Sequence, residues 1–240
     1  MPRADALLAR RGFYESRAKA REAIEAGLVR AGGQTVRKPS QELPPDAEIV
    51  AEAPYPWASR GGVKLDFALT HFGVDPAGCF CLDIGASTGG FTDVLLARGA
   101  RRVVAVDVGR GQLHPRLLSD GRVTSLEKLD ARALRRDHLD EPPSLIVCDA
   151  SFISLRLILP AALALAAPAA TAIALVKPQF EVGRASVGKG VVRDAKAQES
   201  ACVGVAEVVE GLGWRVVGLA PSPIEGGDGN REFLLCGRRP

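Results

Sequence analysis

The residues best suited to binding a small ligand lie in the stretch 79–93, Cys-Phe-Cys-Leu-Asp-Ile-Gly-Ala-Ser-Thr-Gly-Gly-Phe-Thr-Asp. An apolar run ends at Gly85, a glycine-rich bend follows, and a helical pattern begins near Phe91, which predicts a strand, a tight loop and a helix start. Glycine lets a ligand approach bare backbone, and the first amides of a helix are unpaired donors. Any α/β turn favours glycine, so the loop alone is weak evidence for a cofactor site. The predicted cofactor contacts in it are Gly85, Ala86, Ser87, Gly89, Gly90 and Phe91.

Acidic residues at the ends of the predicted strands strengthen the case for a cofactor. Asp83 lies at the end of the first strand, where an unpaired carboxylate would be costly. Asp107 ends the next strand, about 20 residues past the loop, where an acid can accept both hydroxyls of a ribose. Asp130 comes just past the third strand, and no Gly-Lys-Ser/Thr follows the loop, which argues against a phosphate-binding loop. Such an acid-rich edge would suit the amino group, ribose and sulfonium of S-adenosylmethionine better than the pyrophosphate of NAD.

A second set of residues could act on a substrate. Lys177 follows five apolar positions and precedes Pro178, so its ammonium group should reach the cleft and not open solvent. Asp149, after the fourth strand, and Glu232 are the acids expected to hold Lys177, and Lys64 is the second cation. A neighbouring carboxylate raises the pKa of a lysine, whereas burial beside a cation lowers it. A solvated lysine at the strand end is the ordinary alternative, which the apolar surroundings of Lys177 make a poor fit.

These residues can act together only if the fold places them at one edge of a sheet. From residue 60 onward, predicted helices and strands alternate, which implies a parallel, doubly wound sheet with helices on both faces. The last two strands have no helix between them, so one of them must run antiparallel. The pattern is similar to the Rossmann-like methyltransferase fold, an α/β fold whose seven-stranded sheet ends in a reversed strand. Helices are expected at 60–72, 91–98, about 112–118, about 132–138, about 155–167 and about 193–212, and strands at 79–84, 102–106, 123–126, 145–148, 172–176, 214–219 and 232–236.

The first 50 residues differ from the rest of the chain in charge. Up to Lys38 there are nine basic and four acidic residues, a net charge of +5, whereas the whole chain carries +3. Positive charge concentrated in one region is what a polyanion-binding surface requires. A solvated pair of basic helices is the alternative. Ser16 is a natural N-cap for a second helix, and a Gly-Gly turn at 32–33 should lead into a strand.

The order of residues in this region adds specificity. Arg3-x-Asp5-x-x-Leu8, Ser16-Arg17-x-x-Ala20 and the later glycine and valine positions resemble the small alpha-L RNA-binding module, which is named after a small-subunit ribosomal protein. The resemblance implies a small α+β RNA-binding domain at 1–50, whose RNA surface is made by the second helix and the following loop. The corresponding cations are Arg3, Arg17, Lys19, Arg21 and Lys38.

Residues 51–59 have the composition of an extended linker, because Pro54 and Pro56 disfavour helix at the residues before them. Tyr55 and Trp57 within it could pin one domain to the other or stack on a base, and pinning is the favoured interpretation. The expected organisation is therefore an RNA-binding domain at 1–50, a linker at 51–59 and a second domain at 60–240.

Composition limits the compartment and the class of protein. The chain has 240 residues, 47% of them hydrophobic, and five cysteines without metal-ligand spacing, which predicts a reduced, cytoplasmic protein without a metal site. The stretch 157–176 has no charged residue and is long enough to cross a bilayer. Nine of its positions are alanine, and prolines divide it, so it should form a helix and then a buried strand. No membrane anchor is expected.

Five ordered motifs carry a resemblance to the TlyA family, ribosomal RNA 2'-O-methyltransferases related to FtsJ that are often labelled haemolysins. They are Ser59-Arg-Gly-Gly-x-Lys64-Leu, the loop from Asp83 to Asp93, Cys148-Asp149-x-Ser-Phe-Ile-Ser, Val176-Lys177-Pro-Gln-Phe-Glu and the segment Pro223 to Leu234. The resemblance implies a catalytic tetrad at Lys64, Asp149, Lys177 and Glu232, and cytidine targets in ribosomal RNA. The segment 188–194 departs slightly from the family pattern and leaves the tetrad positions intact.

Other functions fit the sequence less well. A base methyltransferase would usually carry an Asn/Asp-Pro-Pro-Tyr/Phe motif after the fourth strand, and Asp149-Ala-Ser-Phe152 has no proline pair. A non-catalytic ribosome-assembly factor could lose the lysines, and all four tetrad positions are present. A pore-forming haemolysin needs a membrane-active segment, and only the divided alanine-rich stretch offers one. The oligomeric state stays open, with a monomer as the working expectation.

Overall fold

The computed structural model describes residues 1–183, 187–188, 190–226 and 229–240 of the chain, which divides into two units, Met1–Pro56 and Trp57–Pro240. Lys189 of the departing segment and two positions of the motif before Glu232 lie outside the described residues. The two units are described separately below.

The first unit is a small α+β fold. A pair of helices packs against a three-stranded antiparallel sheet, in which the first strand along the chain lies between the other two. Ser16 caps the second helix as predicted, because its side chain accepts a hydrogen bond of 3.2 Å from the Lys19 backbone amide. The third strand lies next to the first and was not predicted from the sequence. The elements are α1 (Ala4–Arg10), α2 (Arg17–Glu25), β1 (Val29–Ala31), β2 (Gln34–Thr35) and β3 (Ile49–Ala51).

The second unit is a seven-stranded mixed sheet covered by helices on both faces. Its strands are β4 (Phe80–Ile84), β5 (Arg102–Asp107), β6 (Val123–Glu127), β7 (Leu145–Cys148), β8 (Thr171–Val176), β9 (Arg215–Pro221) and β10 (Phe233–Arg238). Its helices are α3 (Gly61–Phe72), α4 (Gly90–Ala97), α5 (Pro115–Leu118), α6 (Leu155–Ala164), α7 (Pro178–Glu181) and α8 (Ala195–Gly211).

The sheet has the order β6-β5-β4-β7-β8-β10-β9. Strand β10 is antiparallel to both of its neighbours, and the other described pairs are parallel. The predicted methyltransferase fold with one reversed strand is confirmed. The order of the strands reverses at β4, so the carboxyl ends of β4, β5 and β7 open onto the crevice where ligands bind in such sheets.

Local differences from the predicted elements have local causes. The segment predicted as a helix at 132–138 forms two 3₁₀ turns, Ala131–Ala133 and Arg136–His138. The Asp130 carboxylate accepts the Arg132 amide and the His138 ring accepts the Arg135 amide, and such local bonds compete with a continuous helix. Helix α7 was not predicted, and it starts with a proline at its first position, where the missing amide costs nothing.

The alanine-rich stretch divides into α6 and β8, as expected from its prolines. Within the described ranges, no helix combines the length and the apolar character needed to cross a membrane.

All five cysteines are free thiols, and four of them are buried. Among the described residues, no group of three or more His, Cys, Asp or Glu side chains could hold a metal ion.

The predicted linker contains contacts on both sides of the boundary between the units. In the first unit, the Tyr55 hydroxyl donates to Glu22 at 2.7 Å. In the second unit, Trp57 packs so closely on Gly62 that a Cβ atom there would lie 2.4 Å from the indole ring. Each aromatic side chain is therefore tied to the unit in which it lies.

Candidate active site and basic surface

The four residues of the predicted tetrad come together as two ion pairs at the carboxyl edge of the sheet. The Lys177 ammonium lies 2.6 Å from Asp149 Oδ1, and it donates a hydrogen bond of 2.7 Å to the Ser151 hydroxyl. The contact with Asp149 is an ion pair without hydrogen-bond geometry, so the directional bond of Lys177 goes to Ser151. The Lys64 ammonium donates to Glu232. Both lysines and Glu232 are buried.

The pairing corrects one expectation. The sequence pattern predicted that both Asp149 and Glu232 hold Lys177, whereas Glu232 is bonded to Lys64. The positions of the four residues in the fold explain this pairing. Glu232 precedes β10 and faces the second turn of α3, which carries Lys64, while Asp149 follows β7 directly beside the end of β8. Each carboxylate is therefore neutralised by a different cation.

Strand register keeps the two ion pairs adjacent. Phe233 pairs with Val176 in the antiparallel ladder of β10 and β8, so the next residues along, Glu232 and Lys177, are neighbours. On the other side, Asp149 Oδ2 lies 3.3 Å from the position that a Cβ atom would take at Gly61, one turn before Lys64 in α3. The arrangement holds two ammonium groups and two carboxylates at one place, where a reacting hydroxyl could be bound and deprotonated.

A cavity of ≈ 560 Å³ opens beside these ion pairs. Gly85, Ser87, Asp107 and Asp130 line it, together with Asp149. Apolar side chains complete its walls, and they include Val106, Leu129, Ile153 and Ile158. The loops after β4, β5, β6 and β7 therefore surround one site, as the sequence predicted.

Four other residues predicted to bind a cofactor pack around the loop and do not line the cavity. They are Ala86, Gly89, Gly90 and Phe91. Ala86 and Phe91 are buried in the apolar cluster on the α3 face of the sheet. Gly89 has a φ of 93°, and a Cβ atom there would lie 2.3 Å from Leu117. At Gly90, a Cβ atom would lie 2.1 Å from the Ser59 hydroxyl. The positive φ at Gly89 and the Gly62 backbone nitrogen 2.9 Å from an added Cβ atom at Gly90 account for both glycines without a ligand contact, and the sequence pattern does not separate these two reasons for a glycine.

Asp107 is held in place by two backbone amides. Its Oδ2 accepts from Ser87 at 2.8 Å and its Oδ1 accepts from Gly109 at 2.7 Å. A carboxylate oxygen can accept more than one hydrogen bond, so both oxygens keep capacity for the hydroxyls of a ribose. Gln112, which accepts from the Ser87 hydroxyl at 3.2 Å and lines the cavity, was not identified from the sequence. A glutamine in a loop carries no periodic signal that would have found it.

Asp130 also lines the cavity, but its carboxylate is already engaged. The Arg132 side chain donates to both of its oxygens, and these hydrogen bonds lower the pKa of Asp130 to about 2. The side chain of Asp130 therefore stays ionised at neutral pH, and a ligand group that uses it must share it with Arg132.

Asp83 is a fully buried carboxylate beside the site. Its Oδ2 accepts from the Thr92 hydroxyl at 2.6 Å, while its Oδ1 has no hydrogen-bond partner among the described residues. Burial raises the pKa of Asp83 to about 7, the Thr92 hydrogen bond opposes this, and repulsion from Asp149 adds to it. A positively charged ligand beside the neighbouring loop would stabilise the ionised Asp83 carboxylate against burial and would offset its repulsion from Asp149. The residues present therefore fit a cofactor with an amino group and a sulfonium.

Asp83→Asn is expected to change how stability depends on pH. The folded pKa of about 7 lies above the ordinary aspartate value, so folding takes up a proton between about pH 4 and pH 7, and the wild type loses stability as pH rises through that window. The unfolding free energy of the variant relative to wild type should rise by about 2 kcal/mol from pH 5 to pH 8. Urea unfolding of the ligand-free protein measures this. Equal pH dependence of Asp83→Asn, wild type and the exposed control Asp75→Asn would contradict it.

Gly85→Ala is expected to weaken binding of S-adenosylmethionine, the cofactor predicted from the sequence, at least ~10-fold. Gly85 has a φ of +76°, and a Cβ atom there would lie 2.8 Å from the Asp149 carbonyl oxygen, which is backbone and cannot swing away. Gly73→Ala is the matched control, because Gly73 has a φ of +62° with nothing within 4 Å of an added Cβ atom. It should lose about 1 kcal/mol of stability and keep its affinity. Calorimetric titration measures both variants, and equal affinities would refute the role of Gly85.

The first unit carries the predicted basic surface. Arg3 and Arg17 both donate to Asp5, and their side chains are about half exposed. Arg21 and Lys38 are exposed. Lys19 differs, because its ammonium lies 3.5 Å from Glu15 and 5.5 Å from the ring centre of Tyr55, and only 17% of its side chain is exposed.

Comparison with known proteins gives a family match for each of the two units. The family model of the FtsJ-like methyltransferases matches residues 57–239, and that of the S4 domain matches residues 2–49. The chain is 46% identical to the 16S/23S rRNA (cytidine-2'-O)-methyltransferase TlyA of Mycobacterium tuberculosis, over 97% of this chain and 88% of the relative.

Two further relatives carry a different description. Hemolysin A of Brachyspira hyodysenteriae is 38% identical over 97% of this chain and 98% of the relative. A solved structure described as a hemolysin from Streptococcus thermophilus is 40% identical, with a TM-score of 0.80, and covers 99% of this chain and 88% of that one. The matched motifs, the reversed strand and the S4 domain agree, and the chain belongs to the FtsJ-like methyltransferases, within them to the TlyA family.

Proposed function

We propose that this protein transfers a methyl group from S-adenosylmethionine to the ribose 2'-hydroxyl of a cytidine in ribosomal RNA. The observation that carries the proposal is the pair of buried lysine-carboxylate contacts, Lys177 with Asp149 and Lys64 with Glu232, of which Asp149 also lines the cavity that contains Asp107. The name of the Mycobacterium tuberculosis relative supports the choice of cytidine and of ribosomal RNA. Such a substrate places the protein in the cytoplasm.

The cofactor site uses the groups described above. When bound, S-adenosylmethionine supplies an electrophilic methyl group on a sulfonium centre. The Asp107 oxygens would accept from its ribose hydroxyls, and the loop from Gly85 to Ser87 would bring backbone close to it. The negative charge of Asp83 and Asp149 favours a cationic group between the loop and the ion pairs.

The tetrad would prepare the hydroxyl. A ribose hydroxyl is a poor nucleophile at neutral pH, and most of the catalysis of an in-line displacement comes from alignment of the reacting atoms. Lys177, held by Asp149 and Ser151, would first release one ammonium proton to solvent, and its neutral amine would then accept the proton of the hydroxyl, with Asp149 stabilising the ammonium that forms. Lys64, held by Glu232, would stabilise the developing alkoxide and a nearby phosphate. Ser151 enters this scheme only from the structure, and its role is to orient the Lys177 ammonium.

The first unit would bind the RNA. The S4 domain match, the exposed arginines and the localised positive charge favour contacts with phosphates, which hold the substrate while the second unit acts on it. The partner is therefore ribosomal RNA, free or within a ribosomal subunit.

Mapping of 2'-O-methyl groups by mass spectrometry, in ribosomal RNA from cells with and without this gene, tests the proposed function. One or more cytidines should lose the 2'-O-methyl group without the gene and regain it with the wild-type gene. A gene carrying Lys177→Ala should not restore it. If only base methylation changed between the two strains, or if no modification changed, the proposed reaction would be wrong.

A further inference from the structure

The buried carboxylate of Asp5, in the first turn of α1, is not explained by the proposed reaction. Asp5 is 1% exposed, yet it bonds to two arginines of the basic surface of the first unit. Its Oδ1 accepts from Arg3 Nε at 3.1 Å, and its Oδ2 accepts from Arg3 Nη2 at 3.3 Å and from Arg17 Nη2 at 2.8 Å. One buried acid therefore holds two arginines that come from different helical segments.

The backbone of the same residue fixes a third part of the surface. The Asp5 amide donates to the Pro39 carbonyl at 3.1 Å, and the Ala4 amide donates to the Gln41 carbonyl at 2.7 Å. These bonds fix the segment that follows Lys38 against the start of α1. The Ala6 amide donates to Asp5 Oδ1 at 2.8 Å, which completes the bonding of the carboxylate and fixes its orientation.

The two guanidinium groups keep donors for a ligand. A guanidinium has five N–H donors, and the bonds to Asp5 use two of Arg3 and one of Arg17. The arginine side chains are 51% and 60% exposed, so the remaining donors are accessible to solvent. The two arginines and Asp5 together carry one net positive charge, which matches one phosphate group.

We propose that Asp5 is a positioning residue that preorganises Arg3 and Arg17 as a two-arginine site for one phosphate of the RNA backbone. The inference rests on the proposed RNA-binding role of the first unit. A long surface side chain loses rotamer freedom when it binds a ligand, and a side chain that is already held loses less. Planar guanidinium forks also bind phosphate oxygens in pairs, which requires their planes to be fixed.

The sign of one substitution separates this role from a simple charge effect. If Asp5 acted only as a negative charge near the RNA, its removal would strengthen RNA binding, because the surface would become more positive. If Asp5 positions the arginines, its removal weakens binding although the net charge rises. The two possibilities therefore predict opposite changes in the dissociation constant.

The experiment measures binding of the full chain to a fluorescently labelled, transcribed large-subunit ribosomal RNA, over a series of KCl concentrations. Asp5→Asn should weaken binding about 10-fold and lower the slope of log Kd against log salt by about 1, as expected when one phosphate is no longer neutralised. The matched control is Glu48→Gln, an exposed residue of the same unit whose side chain bonds to no described residue. It makes the same change of charge and should bind as tightly as wild type or more tightly.

The double variant Arg3→Gln, Arg17→Gln separates the inference from the function on which it rests. In that background Asp5→Asn should cause less than a 2-fold further loss, because nothing is left to position. If the double variant bound like wild type, the RNA-binding role of this surface would be wrong. If the double variant bound weakly but Asp5→Asn bound as tightly as wild type with the same salt slope, only the positioning role would be overturned.

A second variant guards against loss of folding. Asp5→Asn removes a buried ion pair, so thermal unfolding and circular dichroism accompany each binding measurement. Arg17→Lys keeps the charge and the fold but replaces the fork by a single ammonium group. It should bind several-fold more weakly than wild type, and wild-type affinity in this variant would also overturn the proposal.

Discussion

Lys177→Ala is expected to lower the rate of methyl transfer by ~10²–10⁴-fold while binding of S-adenosylmethionine stays measurable. Lys177 directly follows β8, 2.6 Å from Asp149 and hydrogen-bonded to Ser151, and it is buried, so alanine leaves Asp149 and Ser151 without its ammonium group. A single-turnover assay with radiolabelled methyl donor and ribosomal RNA measures the rate. Calorimetric titration with S-adenosylhomocysteine measures the cofactor site.

Two further variants sharpen the result. Lys177→Arg keeps a positive charge beside Asp149 but does not lose its proton, so it separates proton removal from charge stabilisation. It should remain slow if Lys177 accepts the proton and recover most of the rate if only its charge matters. Lys196→Ala is the control, because Lys196 is an exposed lysine whose side chain bonds to no described residue. Full activity of Lys177→Ala would show that the tetrad has been assigned wrongly.

The triple variant Arg3→Gln, Arg17→Gln, Lys38→Gln is expected to weaken RNA binding by roughly 10²-fold, since each charged hydrogen bond to a phosphate contributes about 1 kcal/mol or more. The slope of log Kd against log salt should fall by about 2, one for the phosphate that Arg3 and Arg17 share and one for the phosphate at Lys38. The second unit should keep its affinity for S-adenosylmethionine, because the substitutions lie outside it.

Lys19→Gln provides the comparison within the same helix. The Lys19 side chain is 17% exposed, against 60% for Arg17, and its ammonium contacts Glu15 and the ring of Tyr55, so it is less accessible to an RNA phosphate than Arg17 is. We expect its loss to change the dissociation constant less than the loss of Arg17. An unchanged salt slope in the triple variant would contradict an RNA surface at these residues.

Much of the scaffold followed from local patterns. The strand, loop and helix around Gly85, the division of the alanine-rich stretch and the single reversed strand are set by hydrophobic period, glycine and the absence of a helix between the last two strands. The 3₁₀ turns after Asp130 and the strand β3 did not follow, because side-chain bonds to nearby amides and pairing with a distant strand leave no periodic signal.

Some residues of the candidate site could likewise be predicted from the sequence, and others could not. The sequence identified Asp107 as a cavity residue because an acid at a strand end has a recognisable position, whereas Gln112 and Ser151 make contacts that only folding reveals. Phe91 belongs to the predicted cofactor motif, but its side chain is buried in the core. A sequence motif does not show which of its residues face a ligand.

The residues that reach one edge of the sheet could be predicted from the amino-acid order, because the alternation of strands and helices shows where each strand ends. Their partners became visible only in the folded chain, where Lys177 contacts Asp149 and Ser151 and Glu232 bonds to Lys64. The physical reason is that a charge selects its partner by distance and burial, and those depend on how α3 packs beside β10 and β8, which is set by contacts far apart in the chain.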